Sequence, residues 1–402
     1  MDKVRLGTVM TLHRGYDLPN AQRKSGDVPV ISSSGISGSH SVAKLVGENV
    51  ITGRYGTIGE VFYHNGPCWP LNTTLFVEDF HGNDPKYVAY LLEVMLNALQ
   101  IDGTDKSTVP GVDRNVLHDL VVPYISDLVS QKTTTRVLSA IDAKIANNKK
   151  LIAELEETAR LIYDYWFTQF DFPDENGRPY RSNGGTMVWS DELKREIPEG
   201  WEAQQVGSLV IANRGVSYSS KNLANTGTPM INLASFSPDY TYNEDGLKHF
   251  NGAFSSDKAL RPYDLVICNT QQTSLDPAKD IIGKPLLIPD IFESEVISSH
   301  HVTTIHVDSE EMKAYLYSLF KTKWFSAYIT GYATGTSILG LDPNGLSRLW
   351  IPVPSKSLLV AYKSFLMPLE QKKSNLIKET SKLKSLRDWM LPMLMNGQLI
   401  VE

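Results

Sequence analysis

The sequence has few cysteines and no long apolar run. Its 402 residues include only Cys68 and Cys268, which lie too far apart in the chain for a metal-binding or redox spacing. No apolar run approaches the roughly 18 residues of a membrane-spanning helix, and residues 1–15 lack the apolar segment of a secretory signal. We therefore expect a cytoplasmic chain without a membrane partner, in which both cysteines are small core residues.

A basic surplus and catalytic motifs are also missing. The formal net charge is −6, whereas nucleic-acid-binding proteins usually carry excess positive charge. This balance argues against avid DNA binding by the free chain, but not against DNA as its ligand within a larger complex. Neither the phosphate-binding GxxxxGK[ST] motif nor the Asn/Asp-Pro-Pro-Tyr/Phe loop of adenine methyltransferases occurs. We expect no catalytic site, metal or cofactor in this chain.

The chain contains an internal duplication. The segment LGTVMTLHRG at 6–15 aligns with VGSLVIANRG at 206–215, and GVDRNVLHDLVVP at 111–123 aligns with GLDPNGLSRLWIP at 340–352. The difference in residue number between aligned positions rises from 200 in the first pair of segments to 229 in the second, so the second copy holds 29 extra residues. In each copy, strand-like runs separated by Gly, Asn and Pro precede a helical stretch. The pattern predicts one α+β domain per copy.

A long helix is predicted after each copy, because residues recur at alternating spacings of three and four as in a coiled coil. The first series is Leu138, Ile141, Ile145, Asn148, Ile152, Leu155, Ala159, Ile162 and Trp166. The second is Tyr362, Phe365, Leu369, Lys372, Leu376, Glu379, Leu383, Leu386 and Met390. We expect the two series to pack against each other, with Asn148 and Lys372 fixing the register.

These features divide the chain into six predicted segments. They are a recognition domain at 1–133, a central long helix at 134–168, a connector at 169–200, a second recognition domain at 201–356, a distal long helix at 357–391 and a C-terminal tail at 392–402. Two groups of large side chains end the helices. We expect these side chains either to cap the core or to dock a partner. The first helix ends with Tyr163, Trp166, Phe167 and Phe170, and the second ends with Trp389, Met390, Leu391 and Met393.

At this point the sequence resembles the specificity subunits of type I restriction–modification systems. The resemblance is carried by LIYDYWFTQFDFPDENGRPYRSNGGTMVWSDELKREIPEGW at 161–201, by LRDWMLPMLMNGQLIV at 386–401, and by the two GxDxNxL boundaries. It extends over the whole chain. It implies an α+β fold with two tandem pseudo-symmetric target-recognition domains, joined by two long antiparallel coiled-coil helices.

The resemblance also implies a function and a set of partners. Each recognition domain would read one half of a split asymmetric site in double-stranded DNA, while the helices set the spacer. Two methyltransferase subunits and two restriction (motor–nuclease) subunits would be the protein partners. These partners, and not this chain, would use S-adenosylmethionine, ATP and Mg²⁺, and adenine N6 would be the methylated atom.

Candidate DNA contacts are basic, amide, hydroxyl and aromatic residues in polar loops, because such groups bond base edges and phosphates. Roughly half of them are expected to be ordinary loop residues. The first copy supplies Arg14, Lys24, Arg54, Tyr55, Lys106, Ser107 and Thr108, and the second supplies Arg214, Lys221, Asn269, Gln271, Gln272, Thr336 and Ser337. Arg14 and Arg214 recur at matched positions, either as a shared phosphate anchor or in a shared structural ion pair.

Other functions remain open on the sequence. A specificity chain of a fused cutter–methyltransferase system would share this architecture, and a scaffold that reads no sequence is a weaker alternative. Pro289-Asp290 with Glu311 and Lys313 matches the spacing of metal-dependent nucleases, but short motifs often match by chance. His300, His301 and His306 fit zinc poorly, because neighbours on a strand point to opposite faces and no Cys or acidic ligand is close.

Overall fold

The computed structural model describes residues 2–99, 111–272, 276 and 279–401. Helices and sheets are both abundant, so the fold is α+β, as predicted. The chain divides into two compact units. The first comprises the residues up to Ala146 together with those from Ser381 onward, and the second comprises Asn147–Thr380. Within the described part of the chain, no helix has the length and apolar character needed to cross a membrane.

In the described part of the first unit, nine strands and two α-helices precede the first long helix. In chain order they are β1 (Asp2–Arg5), β2 (Thr11–Arg14), β3 (Val28–Ser32), β4 (Gly35–His40), β5 (Glu48–Gly53), β6 (Val61–Asn65), β7 (Trp69–Pro70), β8 (Thr74–Asp79), α1 (Pro85–Ala98), α2 (Arg114–Asp119), β9 (Val121–Tyr124) and α3 (Leu128–Tyr163). A π-helical turn, Asp164–Thr168, follows α3 in the second unit.

Two sheets and one short strand pair make up the first unit. The antiparallel sheet has the order β2-β8-β5-β6, and a smaller sheet has the order β4-β3-β7. Strand β1 pairs with β9 and so brings the two ends of the domain together. Helix α1 begins at Pro85 because the Asp84 side chain accepts a hydrogen bond from the Tyr87 N–H. Its buried face, with Tyr87 and Leu91, joins the core of this unit.

The second unit has the remaining strands and helices. They are β10 (Met187–Ser190), β11 (Arg195–Pro198), β12 (Glu202–Gln205), α4 (Val206–Leu209), β13 (Ile211–Arg214), β14 (Leu223–Ala224), β15 (Thr228–Ile231), β16 (Lys248–Phe250), β17 (Ala259–Leu260), β18 (Leu265–Cys268), β19 (Thr270–Gln272), β20 (Pro285–Leu287), β21 (Val296–Ser298), β22 (Val302–His306), α5 (Glu310–Phe320), α6 (Lys323–Thr330), β23 (Ala333–Thr334), β24 (Ile338–Leu341), α7 (Pro343–Ser347), β25 (Trp350–Val353) and α8 (Lys356–Met395).

The sheets of the second unit repeat the strand order of the first. The sheet β13-β22-β18-β20 corresponds to β2-β8-β5-β6, and β12–β25 corresponds to β1–β9. The register also repeats. Strand β3 pairs in parallel with β7, and β15 pairs in parallel with β21. The residues of β15 that form this pairing lie exactly 200 positions after those of β3. The larger sheet β14-β16-β15-β21-β17 and the sheet β19-β24-β23 contain strands that the described first unit lacks.

The long helices differ in extent from the predicted 134–168 and 357–391. Helix α3 begins at Leu128 because the Asp127 carboxylate accepts hydrogen bonds from the Ser130 N–H and hydroxyl. Helix α8 runs from Lys356 to Met395. It ends where Gly397 has a φ of 73° and donates its N–H to the Leu394 carbonyl at 3.3 Å, which is one of the two hydrogen bonds of a Schellman cap.

The two long helices pack antiparallel in the second unit. Asn148 of α3 donates to Glu379 at 2.8 Å and to Thr380 at 3.3 Å on α8. Glu156 follows Asn148 on α3, whereas its partner Lys373 precedes Glu379 on α8. In the first unit the Arg387 Nε of α8 donates to Asp142 of α3 at 2.6 Å. Polar pairs therefore occur along this packing in both units.

The packed face of α8 departs from the predicted series at two positions. Lys372 is exposed and Leu386 is 43% exposed, so neither lies in the packed face. The next residue lies there in each case: Lys373 is buried, and Arg387 forms ion pairs. Spacing alone placed Lys372 and Leu386 in the series, whereas carboxylate partners compensate the charges of Lys373 and Arg387.

Most of the other positions in the two series are buried to some degree. Leu138, Asn148, Ala159, Tyr362 and Leu376 are buried. The half-buried positions are Ile141, Ile145, Ile152, Leu155, Ile162, Trp166, Phe365, Leu369, Glu379, Leu383 and Met390.

The connector residues are ordered by aromatic contacts. Phe167 and Phe170 are buried in the core of the second unit, and Phe172 stacks between Tyr180 and Trp201. The aromatic group at the end of α3 therefore caps a core. On α8, Leu391 is buried, whereas Trp389 is exposed.

Candidate nucleic-acid interface

Each unit has a strand that ends in Arg-Gly, and the glycine is required by a close backbone approach. Strand β2 ends at Arg14 and β13 ends at Arg214. A Cβ on Gly15 would lie 2.0 Å from the Leu71 carbonyl oxygen, and one on Gly215 would lie 2.2 Å from the Ser298 carbonyl oxygen. Both contacts are far inside van der Waals distance, so only glycine fits. The recurrence of Arg-Gly thus reflects a shared backbone arrangement that presents an exposed arginine beside it.

In the first unit, this strand end carries an aromatic and charged cluster. The Trp69 indole N–H donates to the Tyr16 carbonyl at 3.4 Å, and the Lys44 ammonium lies 5.2 Å from the Tyr16 ring centre and 5.0 Å from that of Trp69. Arg14 forms an exposed ion pair with Asp17 at 3.7 Å. Asn72 also donates to the Asp17 carboxylate. At this strand end Lys44 therefore lies over two aromatic faces, and Arg14 pairs with a carboxylate.

In the second unit, the corresponding strand end has different side chains. The rings of His300 and His301 lie 3.9 Å apart, and Tyr218 contacts His300. The Lys248 ammonium lies 5.7 Å from the Tyr218 ring centre, and Lys258 donates to the Arg214 carbonyl at 2.9 Å. Burial, His300 and Lys248 together lower the pKa of His301, which favours the neutral form of its imidazole.

Buried polar atoms without a partner concentrate beside this second cluster. Among the described residues, the hydroxyls of Ser298 and Ser299 and the Nδ1 atom of His300 are buried and have no hydrogen-bond partner. Three consecutive residues of this kind are unusual, because buried polar groups are nearly always satisfied.

A second group of candidates lies where the residue after β5 or β18 bonds the segment that precedes α2 or α7. The Val112 N–H donates to the Arg54 carbonyl at 2.9 Å, and the Leu341 N–H donates to the Asn269 carbonyl at the same distance. Arg54 and Asn269 therefore occupy equivalent backbone positions. The Arg54 guanidinium lies 4.5 Å from the Tyr55 ring centre. Lys106, Ser107 and Thr108 lie outside the described residues.

The structure corrects two of the sequence-based candidates. Asn269 and Gln271 are each only 4% exposed. The Asn269 amide donates to the Thr303 hydroxyl at 2.8 Å, and the Gln271 amide donates to Asp280 and accepts from the N–H groups of Ile281 and Ile282. Their amides are used inside the protein, which leaves them no surface for a base contact. Gln271 and Gln272 alternate between core and surface, as neighbours on a strand do.

The other described candidates are accessible. Gln272 pairs with Ile338 across β19 and β24, and Thr336 and Ser337 precede β24, so these three lie at one end of the same sheet. Lys24 and Lys221 are exposed in the loops after β2 and β13. The structure brings these residues to strand ends and loops. It does not bring the whole set into one cluster.

The possible metal sites are not assembled. No group of three or more His, Cys, Asp or Glu side chains able to hold a metal occurs in the described ranges. Glu311 pairs with Lys363 of α8 at 3.0 Å, whereas the Asp290 N–H contacts Ser374 of α8. Positions 363 and 374 are 11 residues apart on one helix, or about 16 Å. Lys313 pairs instead with Glu310, so the nuclease-like residues do not converge.

Several residues of the two clusters were missed in the sequence. Tyr16 and Tyr218 follow the Arg-Gly pair by one and three residues, so an aromatic residue close after Arg-Gly was a usable signal. Lys44 and Lys248 are distant from it in sequence, and no local pattern identifies them. Cys68 and Cys268 are free and buried, and burial raises the pKa of the Cys68 thiol to about 11 and that of Cys268 to about 12.

Comparisons with known proteins agree with this architecture. Residues 1–157 match the family model of the type I restriction modification DNA specificity domain. The type I restriction enzyme MjaIX specificity subunit of Methanocaldococcus jannaschii is 25% identical over 321 residues, which cover 79% of this chain and 69% of the relative. The type I restriction enzyme HindI specificity subunit of Haemophilus influenzae is 22% identical over 327 residues, covering 68% of each chain.

A solved structure shares the fold over nearly the whole chain. The S subunit of a type I restriction-modification system from M. genitalium aligns with 98% of this chain and 96% of its own, at a TM-score of 0.59 and 17% identity. The resemblance found in the sequence is therefore confirmed: residues 1–157 match the model of the type I restriction modification DNA specificity domain, and both relatives are named type I restriction enzyme specificity subunits.

Proposed function

We propose that this chain is the DNA sequence-specificity subunit of a type I restriction–modification complex, and that its two pseudo-symmetric halves read the two parts of a split asymmetric site. One observation carries the proposal: the same backbone frame occurs twice with different side chains. Asn72 and His300 each follow a residue that forms an isolated parallel β-bridge with the residue directly after Arg-Gly. Arg54 and Asn269 share another backbone position. A repeated frame with divergent surfaces suits the reading of two different half-sites.

The long helices would set the distance between the half-sites. Helix α3 has 36 residues and α8 has 40, so α3 alone extends about 54 Å at about 1.5 Å per residue. Polar pairs that fix the register, such as Asn148 with Glu379, support helices of defined relative position. A tandem antiparallel coiled coil is part of this proposal, as is the target-recognition role of each domain.

Catalysis would belong to the partners. We assign methylation of adenine N6, with S-adenosylmethionine, to two methyltransferase subunits, and ATP- and Mg²⁺-dependent translocation and cleavage to two restriction subunits. This chain would then be a non-catalytic subunit that acts in the cytoplasm on double-stranded DNA. The match of residues 1–157 to the specificity-domain model supports that division of roles.

Genome-wide methylation mapping tests the proposed function. Cells with and without this chain are compared, and a split asymmetric motif that appears only with the chain is the expected result. Residues 2–125 are then exchanged for those of a related chain, with the junction placed before α3 so that the helix stays intact. One half of the motif should change. If both halves or neither change in an active complex, the two-reader proposal is wrong.

A further inference from the structure

Both units hold a lysine against an aromatic ring at the Arg-Gly strand end. Lys44 lies over Tyr16 and Trp69 in the first unit, and Lys248 lies over Tyr218 in the second. These distances are within the roughly 6 Å over which an ammonium and an aromatic face attract. Lys44 lies in the loop before β5, whereas Lys248 begins β16. The two units thus obtain the same pairing from different elements.

The lysines are suited to an external anion. Among the residues that the structure describes, neither forms an ion pair with a carboxylate. The ring restricts the lysine side chain, so less rotamer entropy is lost when the ammonium binds a ligand. Lys44 is exposed and Lys248 is half-buried. Both remain accessible to a ligand at the strand end.

The surrounding charge favours a polyanion. The chain as a whole is acidic, with a net charge of −6, yet Arg14 and Lys44 share one strand end. Arg214, Lys248 and Lys258 share the other, where Lys258 donates to the Arg214 carbonyl. Local concentrations of cations on an acidic protein mark the surface at which phosphates would be neutralised.

We infer that Lys44 and Lys248 are DNA phosphate contacts, one in each unit, and that the aromatic ring beneath each lysine positions it. This inference rests on the proposed function and specifies the surface that it uses. A lysine ammonium is a point charge that carries little base information. A lysine recurs at the two strand ends while other side chains there differ between the units, as Asn72 and His300 do, which matches a shared anchor beside a variable reader.

The test is a titration of labelled 40-base-pair duplex DNA with the complex purified through this full-length chain, at several salt concentrations. The duplex carries the mapped motif, or mixed sequence if no motif exists. Lys44→Met and Lys248→Met should each lower the slope of log affinity against log salt by about one and weaken binding several-fold at low salt. Lys150→Met is the matched control, because Lys150 is an exposed lysine of α3 that pairs with Glu154, and its slope should equal that of the unchanged complex.

Charge-preserving variants separate binding from folding. Lys44→Arg and Lys248→Arg should restore the slope, because the positive charge is retained. Slopes of the methionine variants equal to that of Lys150→Met would overturn the inference, as would a loss that arginine does not restore. If no methylation motif is found and the unchanged complex still binds mixed-sequence DNA tightly, the proposed sequence reading is wrong. A salt slope that depends on the two lysines would then still support the phosphate contacts.

Discussion

At the scale of single residues, neighbouring side chains in β19 have opposite roles. Gln271 is buried and makes three hydrogen bonds to the segment around Asp280, whereas Gln272 is exposed at the end of its strand. Both are amides in a polar stretch, so composition alone made them equal candidates for adenine recognition. The alternation of a strand separates them, and only Gln272 remains a candidate.

This difference predicts opposite consequences of truncation. Gln271→Ala should lower the free energy of unfolding by about 1–3 kcal/mol, because it leaves the buried N–H groups of Ile281 and Ile282 without an acceptor. Gln272→Ala should change it by less than about 0.5 kcal/mol. Denaturant unfolding of the full chain measures both. A stable Gln271→Ala protein with an altered DNA motif would return Gln271 to the set of base contacts.

At the scale of elements, a buried ionic cluster joins α3, α5 and α8 in the second unit. Glu156 of α3 pairs with Lys321, at the end of α5, and with Lys373 of α8, and Glu370 pairs with Lys373 at 2.7 Å. Burial raises the pKa of Glu156, but the two lysines lower it further, so the net shift is downward. Burial raises the pKa of Glu370 in spite of Lys373, and one Glu370 oxygen is unpartnered. Glu156 is thus the central anion.

The two carboxylates should therefore respond differently to neutralisation. Glu156→Gln should lower the free energy of unfolding by about 3–5 kcal/mol, because it leaves Lys321 buried without a carboxylate. Glu370→Gln, the matched control, should cost about 1 kcal/mol or less, since Lys373 keeps Glu156. Denaturation midpoints of both variants and the unchanged protein decide the point. Equal losses would show that the charge is shared evenly between the two carboxylates.

The difference in stability between the unchanged protein and Glu156→Gln should decrease as the pH falls. The folded pKa of Glu156 lies below its ordinary value, so its ion pairs stabilise the fold above the unfolded pKa. That stability is lost as pH falls through the lowered folded value. The gap between the unchanged protein and Glu156→Gln should be full near pH 7 and should narrow below about pH 4. A gap that widens toward acid would contradict the lowered pKa.

At the scale of the whole molecule, the two long helices contribute residues to both units. In α3, residues up to Ala146 belong to the first unit and those from Asn147 to the second, and α8 changes unit between Thr380 and Ser381. These two positions are therefore the places where the helices can be lengthened without interrupting either core. The proposed setting of the spacer by the helices can be tested there.

One heptad inserted at both positions should lengthen the spacer of the methylated motif. Seven helical residues add about 10 Å, and this equals about three base pairs at about 3.4 Å each. The half-sites should be unchanged, because neither domain is altered. A heptad in α3 alone is the control, since it leaves α8 too short to match and should abolish activity. An active double-insertion complex with the original spacer would exclude the helices as the determinant.

Much of the architecture follows from local sequence. The duplication predicted a repeated α+β domain, and the strand order β2-β8-β5-β6 recurs as β13-β22-β18-β20. Arg-Gly at 14–15 and 214–215 marked a shared turn, because the backbone packs too closely there for any Cβ. The spacing of apolar residues placed both long helices. These features depend on residues close in the chain, so a single sequence contains them.

Only the tertiary structure decided which polar residues are buried and which face outward. Arg387 and Lys373 lie in the helix packing because Asp142, Glu93 and Glu156 come from distant segments, and a hydrophobic pattern cannot anticipate such partners. The same holds for the two lysines of the candidate interface: Lys44 meets Trp69, and Lys248 meets Tyr218, across segments that are neighbours only after folding. The sequence by itself determined the repeated frame and the long helices, whereas the surface that would meet DNA is set by long-range packing.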